Sequence, residues 1–138
     1  MGCLEKGLCS LFCFASLAWG GELAPPTAAK FIRVILQASG GDKVGCADRE
    51  IAGQLANLGV GTDAEAKVAW AATAKEVARL AGQHRLVICP NPEWLGEGAA
   101  VAITAEGGRP SIYLQMKHLA NAGVTLPDSI VKISKVVK

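Results

Sequence analysis

Histidine is nearly missing from this chain: His84 and His118 are the only two in 138 residues. They do not stand at metal-ligand spacing from each other or from a cysteine, and neither has a visible partner that would make it a catalytic base. No metal site and no catalytic residue is therefore assigned. Charge is sparse as well, at 19% of residues with a net of +2. That balance is too mild to call for nucleic acid or an anionic membrane. No apolar run approaches the roughly 20 residues that a membrane-spanning helix requires. Beyond the leader, two glycine pairs, Gly40-Gly41 and Gly107-Gly108, belong to neither phosphate-binding loop pattern and read as turns. A G-x-S-x-G elbow is lacking, and so is C-x-x-C. Asp48, Glu50 and Glu93 stand at helix starts, where capping accounts for them. No cofactor is expected from these patterns.

What is present begins with a short apolar leader. Lys6 precedes an uncharged run from Gly7 to Trp19, and Ala18-Trp19-Gly20 offers small residues at the −3 and −1 positions. This pattern predicts a secretory signal peptide over residues 1–20. A retained N-terminal helix, as anchor or core, is the alternative. Residues 21–26 then form a linker, and residues 27–138 are of single-domain size.

Export changes the meaning of the cysteines. Cys3, Cys9 and Cys13 leave with the leader, which leaves Cys46 and Cys89. An even number in an exported chain makes this pair a candidate disulfide. Two buried, reduced thiols are the second possibility. A redox-active pair is the third, and it lacks a flanking arrangement that would lower a thiol pKa.

The apolar spacing along the chain predicts an α/β domain. Phe31, Ile32, Ile35 and Leu36 are spaced for a helix capped by Thr27 and ended by Gly40-Gly41, although the β-branched run also permits a strand. Short apolar strands are expected at 43–47, 67–71 and 85–89. Helices capped by Asp48 and Thr73 lie between them, the first stopped by Gly59. Asn91-Pro92-Glu93-Trp94 reads as a loop or one helical turn. Two strands then meet at Glu106-Gly107-Gly108 as a hairpin. A short helix ends at Gly123, and a terminal helix carries Ile130, Ile133 and Val137 on one face. The expected fold is a single three-layer domain: a mostly parallel, flavodoxin-like sheet with a C-terminal antiparallel hairpin and a terminal helix. If strand one lies between strands two and three, Cys46 and Cys89 stand on neighbouring strands about 4.8 Å apart, within bridging range. Trp70 reads as core. Trp94, with Asn91 and Glu93, is a candidate partner contact at the carboxyl edge of the sheet, because loop tryptophans are enriched at interfaces. A lid over that end of the core is the plainer reading of Trp94.

The C-terminal third, EGGRPSIYLQMKHLANAGVTLPDSIVKISKVV, resembles the end of the YfiR-like family of small periplasmic proteins. Ala122-Gly123-Val124 and Ser129-Ile130-Val131-Lys132 carry the likeness, and "AAKFIRVIL", "KVGCAD" and "RLVICP" extend it over roughly residues 26–137. The chain departs from that pattern in its shorter length, in lacking one strand and a Phe-containing loop before the hairpin, in the absence of a Trp-Pro exit from the first helix, and in Gln115 where Asn is common. The resemblance implies a non-catalytic periplasmic regulator, sensitive to redox conditions through disulfides, that binds and restrains the periplasmic part of an inner-membrane diguanylate cyclase or sensor kinase. A homodimer is possible. The alternative is a periplasmic small-ligand binder using the carboxyl edge of the sheet near Ala47-Asp48, Ala71-Ala72 and Asn91-Trp94.

Overall fold

The computed structural model describes residues 23–137. The expected signal peptide lies outside the described residues. Helix α1 spans Pro25–Ala38. It begins three residues earlier than its sequence pattern predicts, with Ala24 rather than Thr27 at the cap position, and takes in the end of the expected linker. The expected Thr27 cap is not used. Instead Pro25 and Pro26 occupy the first turn, where their missing N–H groups cost nothing. Ala28, Ala29, Ile32, Ile35 and Leu36 form its buried stripe, so helical spacing outweighs the strand preference of the β-branched run.

Four parallel strands and two helices follow: β1 (Lys43–Cys46), α2 (Arg49–Asn57), β2 (Gly61–Thr62), β3 (Val68–Trp70), α3 (Ala74–Ala81) and β4 (Leu86–Cys89). Both central helices start where their caps predict. The Asp48 carboxylate accepts from the N–H groups of Glu50 and Ile51 at 3.0 and 3.3 Å. The Thr73 hydroxyl accepts from Glu76 N–H at 3.2 Å. A 3-10 turn (Pro92–Glu97) leads to β5 (Val101–Glu106), β6 (Arg109–Gln115), α4 (Met116–Asn121), α5 (Asp128–Ile133) and β7 (Lys135–Val137). The β5–β6 hairpin turns at Gly107 and Gly108, whose φ angles of +58° and +79° suit the mirror-image turn that fits twisted strands.

The strands form one seven-stranded sheet in the order β2-β1-β3-β4-β5-β6-β7. All pairs are parallel except β5–β6. The molecule is thus an α/β domain with a mostly parallel sheet, flanking helices and a C-terminal antiparallel hairpin, as the sequence pattern predicts. Two expectations are corrected. The strand at 61–62 carries too little apolar sequence to be seen, and it takes the edge position that completes a flavodoxin-like 2-1-3-4-5 order. The strand at 86–89 is therefore fourth, and β3 separates it from β1. The expected terminal helix ends at Ile133, and the chain then pairs as β7 along β6, with Val136 opposite Leu114.

Side-chain alternation divides the core in two. Val44, Val68, Trp70, Leu86, Ile88, Val101, Ile103, Ile112 and Leu114 point to the face covered by α1, α2, α4 and α5. Ala69, Ala71, Val87, Cys89 and Ala102 point to the face covered by α3 and the 3-10 turn. Each large side chain that is wholly buried, such as Ile32, Leu55 or Ile88, contributes about 1.5–3 kcal/mol by leaving water.

Gly98 closes the second cluster. Its φ is +122°, and a β-carbon there would lie 2.6 Å from the Ala81 methyl group. Substitution Gly98→Ala combines an unfavourable backbone with overpacking. It is expected to cost roughly 2–4 kcal/mol, measured as a fall in the urea midpoint without a change in slope.

Candidate functional site

The carboxyl ends of β1 and β3 form the point where the strand order reverses, the place at which open α/β sheets most often accept ligands. Two depressions meet there. One is a groove of about 330 Å³ on the α3 face, floored by Gly45 and Ala69 and bordered by Cys46, Asp63, Glu76, Arg79 and Arg85. Among the described residues no helix covers β1 on this side, and the floor residues are small. The segment after β2 crosses above Gly45, where a β-carbon would stand 3.3 Å from the Asp63 carbonyl. The Arg85 guanidinium ties this segment down by donating to the Ala64 carbonyl. The second depression is a cavity of about 150 Å³ on the α1 face, between the first turns of α1 and α2 and beside Trp70 and Pro90.

The candidate disulfide is not formed. Cys46 and Cys89 are free. Alternation directs Cys46 to the α1 face and Cys89 to the α3 face, with β3 between their strands. Each thiol instead closes its own strand end: Cys46 Sγ donates to the Asp48 carbonyl at 3.3 Å, and Cys89 Sγ to the Asn91 carbonyl at 3.2 Å. Burial pushes both thiols up, from an ordinary 9.0 to about 11, which favours the unreactive neutral form. This is the second of the three sequence readings.

Asn91, Glu93 and Trp94 share one 3-10 turn after β4. The Asn91 side chain accepts from Glu93 N–H at 3.0 Å, so it acts as a cap. Trp94 is half-buried against the cluster under α3, and Glu93 is exposed. The turn therefore covers the end of the core, with Glu93 as its outermost candidate. His84 sits in the turn before β4 at φ +58°, and its carbonyl accepts from the Lys67 ammonium at 2.8 Å. Among the described residues, no group of three His, Cys, Asp or Glu side chains could hold a metal ion. Nor is any helix there long and apolar enough to cross a membrane.

Two features carry no sequence signal. Trp70 is core, as expected, but its indole N–H is buried with no partner among the described residues. On the other side of the sheet, Glu106, Tyr113 and Lys135 come together from β5, β6 and β7. Tyr113 Oη donates to Glu106 at 2.6 Å. Lys135 Nζ donates to the same carboxylate at 2.8 Å and lies 5.2 Å from the centre of the Tyr113 ring. The residues are 7 and 29 positions from Glu106, so only the sheet register unites them. Lys135, and next the Tyr113 hydroxyl, lower the Glu106 carboxyl from 4.5 to about 2, and Glu106 raises Lys135 in return.

Neither protein-family models nor curated proteins match this chain. Solved structures do. A conserved domain protein from Vibrio cholerae matches with a TM-score of 0.60 at 12% identity, over 85% of this chain and 61% of that one. The ABC domain in complex with L-Trp from Streptococcus pneumoniae matches with a TM-score of 0.51 at 8% identity, over 77% of this chain and 60% of that one. The chain thus spans about three fifths of the length of each. At these identities the likeness establishes the α/β fold alone.

The thiols and the carboxylate each give a pH dependence. A thiol whose pKa is raised by folding supports the folded state below 9.0 and loses that support as pH rises toward 11. Denaturant titrations are expected to show stability falling over that window, with a shallower fall in Cys89→Ala. The lowered Glu106 carboxyl acts in the opposite sense: its tie to Lys135 is complete above 4.5 and is lost as pH falls toward 2. Both side chains of this tie are solvent-exposed, so Glu106→Gln is expected to leave Tm nearly unchanged while speeding hydrogen exchange at the β7 amides.

Proposed function

We propose that this protein is a non-catalytic regulator of the bacterial periplasm that binds and restrains the periplasmic part of an inner-membrane signalling protein, a diguanylate cyclase or a sensor kinase. The observation that carries the reading is the character of the β6–β7 end of the sheet. Strand β7 has three residues and pairs on one side only. An unpaired strand offers main-chain donors and acceptors to an incoming segment. Ile133, Val136 and Met116, all in segments that form or adjoin this edge, are 68%, 44% and 45% exposed. They account for three of the four large apolar side chains that are exposed among the described residues. Lys132 adds an exposed positive charge beside this edge, which favours an acidic partner, while Lys135 is paired with Glu106. The resemblance of this C-terminal third to the YfiR-like family supports the same assignment, and the predicted signal peptide supports the compartment.

The paired substitution Ile133→Asp and Val136→Asp changes two partly exposed positions and is expected to keep the circular dichroism spectrum of a folded protein while lowering Tm by about a few degrees. Affinity capture from detergent-solubilised membranes should recover a diguanylate cyclase or sensor kinase with the unaltered protein and lose it with the pair. Recovery of only soluble or outer-membrane proteins, or of the same signalling protein by both forms, contradicts the proposal.

A further inference from the structure

Between α3 and the segment that follows β2 runs the groove of about 330 Å³ on the α3 face of the sheet. That volume falls at the small end of the range for ligand sites, about 300–1,000 Å³. Gly45 keeps the floor low: a β-carbon there would stand 3.3 Å from the Asp63 carbonyl and 3.5 Å from the Ala69 methyl group. Ala69 and Leu80 give the groove apolar surface.

Two arginines line it. Arg85 precedes β4, and its guanidinium donates to the Ala64 carbonyl. That carbonyl lies over Gly45 of β1, so the Arg85 side chain crosses β3 and spans one end of the groove. It is the one acceptor that Arg85 has among the described residues, which leaves most of the five guanidinium N–H groups free. Arg79 borders the groove from the last turn of α3. Among the described residues the only ion pair joins Lys135 to Glu106, so no carboxylate neutralises either guanidinium.

The two acids at the groove are engaged locally. Asp63 accepts from Glu65 N–H at 2.9 Å, and Glu76 from Ala72 N–H at 3.3 Å. Their charges still decide what can enter. Two guanidinium groups attract an anion, and two carboxylates nearby oppose a second negative charge on it.

We infer that this groove is a binding site for a small monocarboxylate with a compact apolar body. Arg79 and Arg85 hold the carboxylate, and the body lies over Gly45 and Ala69 against Leu80. The β6–β7 edge is at the other end of the sheet, so the site stands or falls independently of the regulatory reading.

Nitrogen-15-labelled protein titrated with benzoate tests it, since benzoate joins one carboxylate to a ring that a cavity of about 150 Å³ can hold. The Gly45 and Asp63 amide resonances are expected to shift saturably. Benzamide, the neutral isostere, should bind at least about fivefold more weakly, the factor that one hydrogen bond supplies. Phthalate, which adds a second carboxylate to the same ring, should also bind more weakly than benzoate. Arg79→Gln should weaken benzoate at least about fivefold. Lys75→Gln removes an exposed charge on α3 outside the groove and should leave binding unchanged. Arg79 and Lys75 are both exposed, so these two variants are expected to keep the Tm of the unaltered protein. Glu76→Gln retains an acceptor for Ala72 N–H and should narrow the advantage of benzoate over phthalate. The inference is overturned by any of five results: no saturable shift, a response confined to residues away from the groove, benzamide or phthalate binding as tightly as benzoate, equal effects of Arg79→Gln and Lys75→Gln, or an unchanged preference over phthalate in Glu76→Gln.

Discussion

The alternation of side chains along β3 and β4 is the constraint on which the rest of this structure depends. Both strands are buried on both faces, so each residue is committed to one of two clusters and none is left for solvent. Trp70 and Ile88 go to the side packed by α1 and α2, and Ala69, Val87 and Cys89 go to the side packed by α3. A slip of one residue would reverse every one of these assignments. Register is therefore fixed by burial, and the loops that follow each strand emerge at defined heights. Asp48, Thr73 and Asn91 then cap the next element from those loops.

Much of this was legible in the residues themselves. Asp48 and Thr73 announce their helices, and Gly107-Gly108 announces the hairpin, because each does a local task that few other residues can do. What escaped notice was set by distant contacts. The two-residue strand β2 has no apolar pattern of its own and exists because it pairs with Lys43 and Val44. Missing it moved the strand ending in Cys89 one place closer to β1 than it is, and made a disulfide look feasible. In the same way, the segment after Ile133 has helical spacing, but Val136 gains more by lying opposite Leu114. The switch-point groove shows the same division. Its strands and caps could be read from sequence, whereas the tie from Arg85 to the Ala64 carbonyl depends on how the segment after β2 lies in space.

The two ends of the sheet differ in kind. The parallel end has small side chains at Gly45 and Ala69 and two depressions beside them, a geometry suited to small molecules. The hairpin end is broad, with one strand edge open and apolar side chains in solvent, a geometry suited to another polypeptide. The Glu106–Tyr113–Lys135 group lies at this second end and joins three strands through polar contacts on the α3 side of the sheet. It fixes where β7 sits, and so where the open edge is presented.

The sheet also stands as a partition between Cys46 and Cys89, the two cysteines among the described residues. Cys46, partly open to water, belongs to one side of it, and Cys89, sealed from water, belongs to the other. Among the described residues, a spectroscopic tag would accordingly attach at Cys46 alone, slowly near neutral pH because burial holds that thiol in its neutral form, and would mark a single flank of the molecule. Events on the far flank would reach such a tag only through movement of the strands themselves.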